Sequence, residues 1–179
     1  MIKLQTRDHK TKDQFIECEE DVLMMSNLLK TMIETSGPGD EDDAGSNSSD
    51  EERNDEESMF PVPNVGTEVM EKVILFMKKH KDEKMKPIEK PLRSEKMEEV
   101  VDEWDAKYID VKQDLLFEII LAANYLDIKD LLDLSCAKVA SLIKGKTPAE
   151  IRKTFNITED FTPEEEAKVR KDNPWLETV

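Results

Sequence analysis

Cysteine, histidine, glycine and large aromatic residues are all scarce in this chain of 179 residues, which has two Cys, two His, five Gly, two Trp and two Tyr. Cys18 and Cys136 stand far apart, each beside acidic or apolar residues rather than a second Cys or a His. That argues against a disulfide framework and against a Cys-based zinc site. His9 and His80 lie in polar stretches without paired-ligand spacing, so no metal site is expected and both are read as surface histidines. Positive charge is also short: 42 Asp and Glu face 26 Lys and Arg, a formal charge of -16. Such a chain repels phosphate backbones and anionic membranes, which leaves proteins as the expected partners rather than nucleic acid. No run approaches twenty apolar residues, and MIKLQTRDHK turns polar after Leu4 without the apolar core of a secretory signal. An intracellular protein, cytoplasmic and nuclear, with no membrane span is expected.

The length suits one ordinary domain, or a compact domain with an extension. Residues 2 to 18 alternate loosely, with Ile2 and Leu4, a polar turn around Asp8 to Lys12, then Phe15 and Ile16, which predicts a short β-hairpin. Val22, Met25, Leu28, Leu29, Met32 and Ile33 recur at three and four and predict one helix. Between Gly37 and Ser58 there is no apolar periodicity, and Asp40 to Glu57 holds ten acidic residues and one Arg, a net -9. Self-repulsion and the want of apolar surface predict a disordered insertion over about 37–58. Ser48 and Ser49, ahead of Asp50, Glu51 and Glu52, are candidate sites for an acid-directed kinase, although a solubilising loop is the preferred reading of the run.

FPVPNV, Phe60 to Val65, predicts an edge strand, since its two prolines cannot donate to a central ladder. Thr67 is expected to cap a helix reaching about Lys79, with Val69, Val73, Phe76 and Met77 on one side and Met70 and Ile74 adjoining. Residues 80–99 mix both charge signs with Pro87 and Pro91 and read as a mobile charged loop. The segment Asp114 to Asp127 is apolar on most sides, with Leu115, Ile119, Ala122 and Leu126 in one row and Leu116, Ile120 and Ala123 in the next. A helix so apolar must be covered on more than one side. Asp130 to Lys144 predicts another helix, with Leu132, Cys136, Val139 and Ile143 on a stripe that would bury the Cys136 thiol, Leu131, Leu134 and Leu142 beside it, and Gly145 at its end.

Two helix starts then repeat one device. In Thr147-Pro148-Ala149-Glu150 and in Thr162-Pro163-Glu164-Glu165, the threonine can accept from a free amide, proline lacks a donor that would go unpaired, and glutamate can reach back. The helices so begun have little to bury alone, so Ile151, Phe155, Ile157, Val169, Trp175 and Leu176 are available as interface anchors. Packing at home over the Leu115 to Leu126 helix is the alternative use for them. No catalytic constellation emerges. Gly145-Lys146-Thr147 resembles the end of a phosphate-binding loop, but Ala140 stands where that motif needs glycine. No catalytic residue and no cofactor is expected, and the protein is read as no enzyme.

The runs LFEIILAANYLDIKDLLDLSC, IKGKTPAEIRKTFNI and DFTPEEEAKVRKDNPW resemble the Skp family, the adaptors that join F-box proteins to cullin scaffolds in SCF ubiquitin ligases. They cover Leu116 to Trp175 almost without a gap, and weaker likeness extends over IKLQ, LLKTMIE, the acidic insertion, PVPNV and VDEWDAKYIDV. The resemblance implies an α/β (α+β), mostly helical fold: a BTB/POZ-like, cullin-binding domain over 1–128 and a helical F-box-binding extension over 129–179. It implies F-box contacts at Leu116, Ile120, Ile143, Ile151, Phe155, Ile157, Val169 and Trp175, and cullin contacts at Asn124 and Tyr125. Expected partners are F-box proteins and a cullin, with a weak homodimer when no F-box protein is bound. In similar proteins of unicellular eukaryotes the proline of the FTPEEE context is hydroxylated and glycosylated; at Pro163 the helix-start role is the preferred reading. The Met-rich passage ECEEDVLMMSNLL, the extended acidic run and the ending NPWLETV depart from the family pattern. Two other readings stay open: an acidic chaperone of basic proteins working through Asp40 to Glu57, and an elongin-C-like adaptor, which would lack GKTPAEIRKTFNI.

Overall fold

The computed structural model describes residues 1–8, 14–35, 59–157 and 161–174. The chain divides into two compact units, Met1–Ser141 and Leu142–Val179. The division falls later than the boundary expected after residue 128, because Leu131, Leu134, Ser135 and Ala137 of the helix that spans it are buried. The fold is mixed α/β and mostly helical.

In the first unit, β1 (Ile2–Thr6) pairs antiparallel with β2 (Ile16–Cys18) and parallel with β3 (Met59–Val62), in the order β2-β1-β3. The hairpin pairing is as the alternation predicted; the turn residues 9–13 lie outside the described residues. Ile2 and Leu4 point one way into the core, as a period of two requires. β3 is an edge strand, which accommodates Pro61, a residue with no ladder donor. It is shorter than FPVPNV.

The single helix expected over Val22 to Ile33 is instead two: α1 (Glu20–Leu23) and α2 (Asn27–Thr35). Ser26 makes the break. Its hydroxyl accepts from the Leu29 N–H at 3.2 Å and donates to the Leu126 carbonyl at 2.6 Å, so a residue that the apolar spacing passed over as mid-helix is a buried N-cap. Helix α3 (Thr67–His80) buries Val69, Met70, Val73, Ile74, Phe76 and Met77, as its pattern predicted. Thr67 does not cap it. Gly66 occupies the cap position, and the capping acceptor comes from β1's end, where Asp8 Oδ2 takes the Thr67 N–H at 2.7 Å. A Cβ at Gly66 would meet the Arg7 guanidinium and Asp8 Oδ2 at 3.0 Å, so a larger residue there would have to push the capping oxygen aside by a few tenths of an ångström.

His80 is not a surface histidine. It ends α3 inside the core, bonded to Asp105 of α4 (Glu103–Ile109) and surrounded by Phe76 and Trp104. From Lys81 to Lys96 the chain has no helix or strand, but Lys86 pairs with Asp102 and Lys90 with Asp133, and Met97 in a 3-10 turn (Met97–Glu99) is buried. Two helices complete this unit, α5 (Gln113–Tyr125) and α6 (Lys129–Ile143). The predicted inward stripe of α6 is in fact its outer one. Leu131, Leu134, Ser135 and Ala137 are buried, whereas Leu132 and Val139 are half-buried and Cys136 is exposed. Leu131 and Leu134 are the large apolar side chains on the buried side, and Ser135 is accommodated among them because its hydroxyl donates to the Leu131 carbonyl at 2.6 Å. The helix ends as expected, with Gly145 at φ 72° in the left-handed conformation that closes a C-terminus.

The second unit carries α7 (Pro148–Thr154) and α8 (Pro163–Asp172). Both open with the predicted capping box. The Glu150 carboxylate takes the Thr147 N–H at 2.8 Å while Thr147 Oγ1 accepts from the Glu150 N–H at 3.4 Å; for Thr162 and Glu165 the distances are 2.9 and 3.3 Å. These amide bonds hold both glutamates below their usual carboxylate pKa.

Candidate partner-binding surfaces

Helix α5 buries one side only, in contrast to the expectation of cover on more than one side. Leu116, Ile119, Ala122, Ala123 and the following Leu126 are buried, while Leu121 is 68% exposed and Phe117 39%. Asn124 is exposed and Tyr125 half-buried. Leu121 lies four residues after Phe117, and Asn124 and Tyr125 lie three and four after Leu121, so these side chains share one outward row of α5. The family resemblance had singled out Asn124 and Tyr125 of this row but not Phe117 or Leu121. Their spacing from Asn124 was the available signal.

The end of this row is fixed from a distance. A helix leaves its last carbonyls without intrahelical donors. The Leu126 carbonyl receives the Ser26 hydroxyl and, at 3.4 Å, the Leu28 N–H. Asp127 turns the chain at φ 51°, its N–H bonded to the Asn124 carbonyl at 3.2 Å, and Ile128 N–H reaches the Ala123 carbonyl at 2.9 Å. That pair of bonds is a Schellman turn with Asp in place of the usual glycine. Asn27 Nδ2 donates to Asp127 Oδ2 at 2.8 Å.

The other predicted residues are placed as follows. Leu116 is 1% exposed and belongs to the core, so it has no surface to offer here; Ile120 is half-buried. Of the second unit's residues, Ile143 and Val169 are exposed, Ile157 is 50% exposed, and Ile151 and Phe155 are half-buried. Among the described residues of that unit none is buried. Pro163 stands at the first position of α8, where its missing N–H costs nothing. Trp175, Ser48, Ser49 and His9 lie outside the described residues.

Nothing in the described grooves offers an alternative centre of chemistry. The groove of about 410 Å³ between Arg7, Glu68, Lys112 and Glu118 is lined by charges of both signs, with Asp8 committed to α3 and Glu118 beside Arg7 at 3.5 Å. Among the described residues no group of His, Cys, Asp and Glu could hold a metal ion, and no helix is long and apolar enough to cross a membrane.

A mixed, mostly helical core with an exposed apolar row on α5, followed by capped helices in which no described residue is buried, has the make-up of a protein-binding module. Residues 129–176 match the family model described as Skp1 family, dimerisation domain. The chain is 51% identical, over 93% of its length and 90% of the relative's, to the S-phase kinase-associated protein 1 homolog of Tetrahymena thermophila. It is 45% identical to the E3 ubiquitin ligase complex SCF subunit sconC of Arthroderma otae, over 90% of this chain and 88% of that one, and equally to the sconC of Aspergillus fumigatus, with 91% of that chain covered. The chain belongs to the Skp1 family.

Proposed function

We propose that this protein is a non-catalytic adaptor of an SCF ubiquitin ligase, linking F-box substrate receptors to a cullin scaffold for ubiquitin-dependent protein degradation. Relatives at 45% identity that span nine-tenths of the chain are named as subunits of that complex, which is the first support. The observation that carries the reading is the contrast within Leu142–Val179: two fully formed capping boxes and no buried residue among those described. Capping directs where a helix starts, but a helix of seven or ten residues is marginal until an apolar face is covered. In this reading the F-box supplies that cover, taking Ile143, Ile151, Phe155, Ile157, Val169 and Trp175 as anchors. Each large side chain removed from water contributes roughly 1.5–3 kcal/mol, less the cost of ordering the segment.

The first unit is read as the BTB/POZ-like part, with Asn124 and Tyr125 facing the cullin. Leu121 and Phe117 extend that row, giving it an apolar centre flanked by a polar edge, the usual anatomy of a protein interface. In this reading the protein works by holding two partners at once. A cytoplasmic and nuclear location and a weak homodimer in the absence of F-box protein go with this role.

The test is capture of an F-box protein and a cullin by the full chain carrying Ile157→Asp and Val169→Asp. Both positions are exposed, so folding is expected to persist. F-box capture should fall at least tenfold with cullin capture intact; retained F-box capture rejects the assignment.

A further inference from the structure

Resting on the assignment of Asn124 and Tyr125 to the cullin, we propose that Asn27, the first residue of α2, is a positioning residue for that surface, acting through Asp127. Three observations converge on this. Asp127 sits at φ 51°, a region that L-residues other than Asn and Asp rarely enter and that glycine enters freely. Its side chain is held by Asn27 Nδ2 at 2.8 Å, across 100 residues of sequence. Its N–H bonds to the carbonyl of Asn124, so the conformation at Asp127 is coupled directly to the backbone of the proposed contact.

Asn27 and its neighbour divide the labour. Ser26 is wholly buried and bonds to the Leu126 carbonyl and the Leu29 amide, so its loss would disturb the core. Asn27 and Asp127 are both exposed and contribute nothing to the core. The Asn27 bond therefore has one local consequence: it restrains Asp127 in the left-handed region and so keeps the last turn of α5 wound through Asn124 and Tyr125. Without it, Asp127 is free to relax toward negative φ, the bond from its N–H to Asn124 is lost, and the outward row loses its polar end.

The experiment titrates the full-length protein with the N-terminal domain of the cullin from its own cells and, in parallel, with an F-box protein. Asn27→Ala should weaken cullin binding about fivefold and leave F-box binding unchanged. Asp127→Gly, which takes the positive φ unaided, should restore cullin affinity in the Asn27→Ala background and be neutral alone. A merely structural role would lower both affinities and would not be rescued, so either result overturns the proposal. Unchanged cullin affinity in Asn27→Ala overturns it too. If Asn124→Ala with Tyr125→Ala nonetheless abolishes cullin binding in that case, the cullin assignment stands while the positioning role falls. If that double substitution also leaves cullin binding intact, the assignment itself has failed.

Discussion

His80 Nε2 and Asp105 Oδ1 meet at 2.8 Å in the interior of the first unit, with 4% and 3% of their side chains exposed. The other ring nitrogen, Nδ1, donates to the Glu83 carbonyl at 2.9 Å, since a carbonyl can only accept. Phe76 lies 4.5 Å from the His80 ring centre, and Trp104, stacked on Tyr108, meets it edge-on. The pair thus ties the end of α3, the turn after it and α4 into one aromatic-walled cluster. Burial in the same cluster pushes the Tyr108 phenol pKa up, with its hydroxyl donating to the Lys72 carbonyl.

His80→Ala should destabilise the first unit by about 3 kcal/mol, because removing one partner strands the other's buried charge or donor. Replacing both, as His80→Leu with Asp105→Leu, should cost less than the sum of the single changes. Urea denaturation of the four proteins of this cycle measures the coupling.

Asp8→Ala should cost about 1 kcal/mol, the usual value of an N-cap acceptor, even though Asp8 lies outside the helix it caps. Asp8→Asn keeps an acceptor oxygen and should retain most of that stability. Thermal melts of the two variants distinguish the cap from the loss of a surface charge.

Acidification should release the capping boxes of α7 and α8. The folded pKa values of Glu150 and Glu165 lie below the usual 4.5, chiefly through the Thr147 and Thr162 amides, so their contribution is complete above that value. It is lost as the pH falls through the lower, folded value. Amide shifts of Thr147 and Thr162 should therefore stay constant from pH 7 to about 5 and move only on the acid side of the ordinary carboxylate range.

Leu121→Glu should leave the melting temperature within a few degrees of the parent, because an exposed side chain away from special features changes stability by about 0.5 kcal/mol or less. Cullin binding should fall at least tenfold. A comparable loss of F-box capture in the same variant would place Leu121 on the other partner's surface.

Much of the fold was legible in the sequence where causes are local. The alternation in IKLQT, the Val69-Val73-Phe76-Met77 row and the two Thr-Pro-x-Glu starts each name a structure within one or two turns of chain, and each forms as read. The errors fall where the deciding partner is remote. Ser26 read as one more helical residue because its acceptor, the Leu126 carbonyl, is 100 residues away. His80 read as a surface residue because Asp105 and Trp104 are invisible from its neighbours in sequence. Cys136 read as buried because periodicity finds apolar stripes without saying which of two faces the core, and the one that does carries Leu131 and Leu134.

For the candidate site the division is the same. Sequence alone determined the family resemblance, the acidic character of the chain, and helix starts at Pro148 and Pro163, because charge and capping chemistry belong to the residues themselves. Only the tertiary structure decided that α5 keeps Phe117, Leu121 and Asn124 on its open side while sinking Leu116, and that an elbow from the other end of the unit closes its last turn. Exposure is a property of what packs against a residue, and the Asn27 to Asp127 bond exists only once the chain has brought its ends of α2 and α5 together.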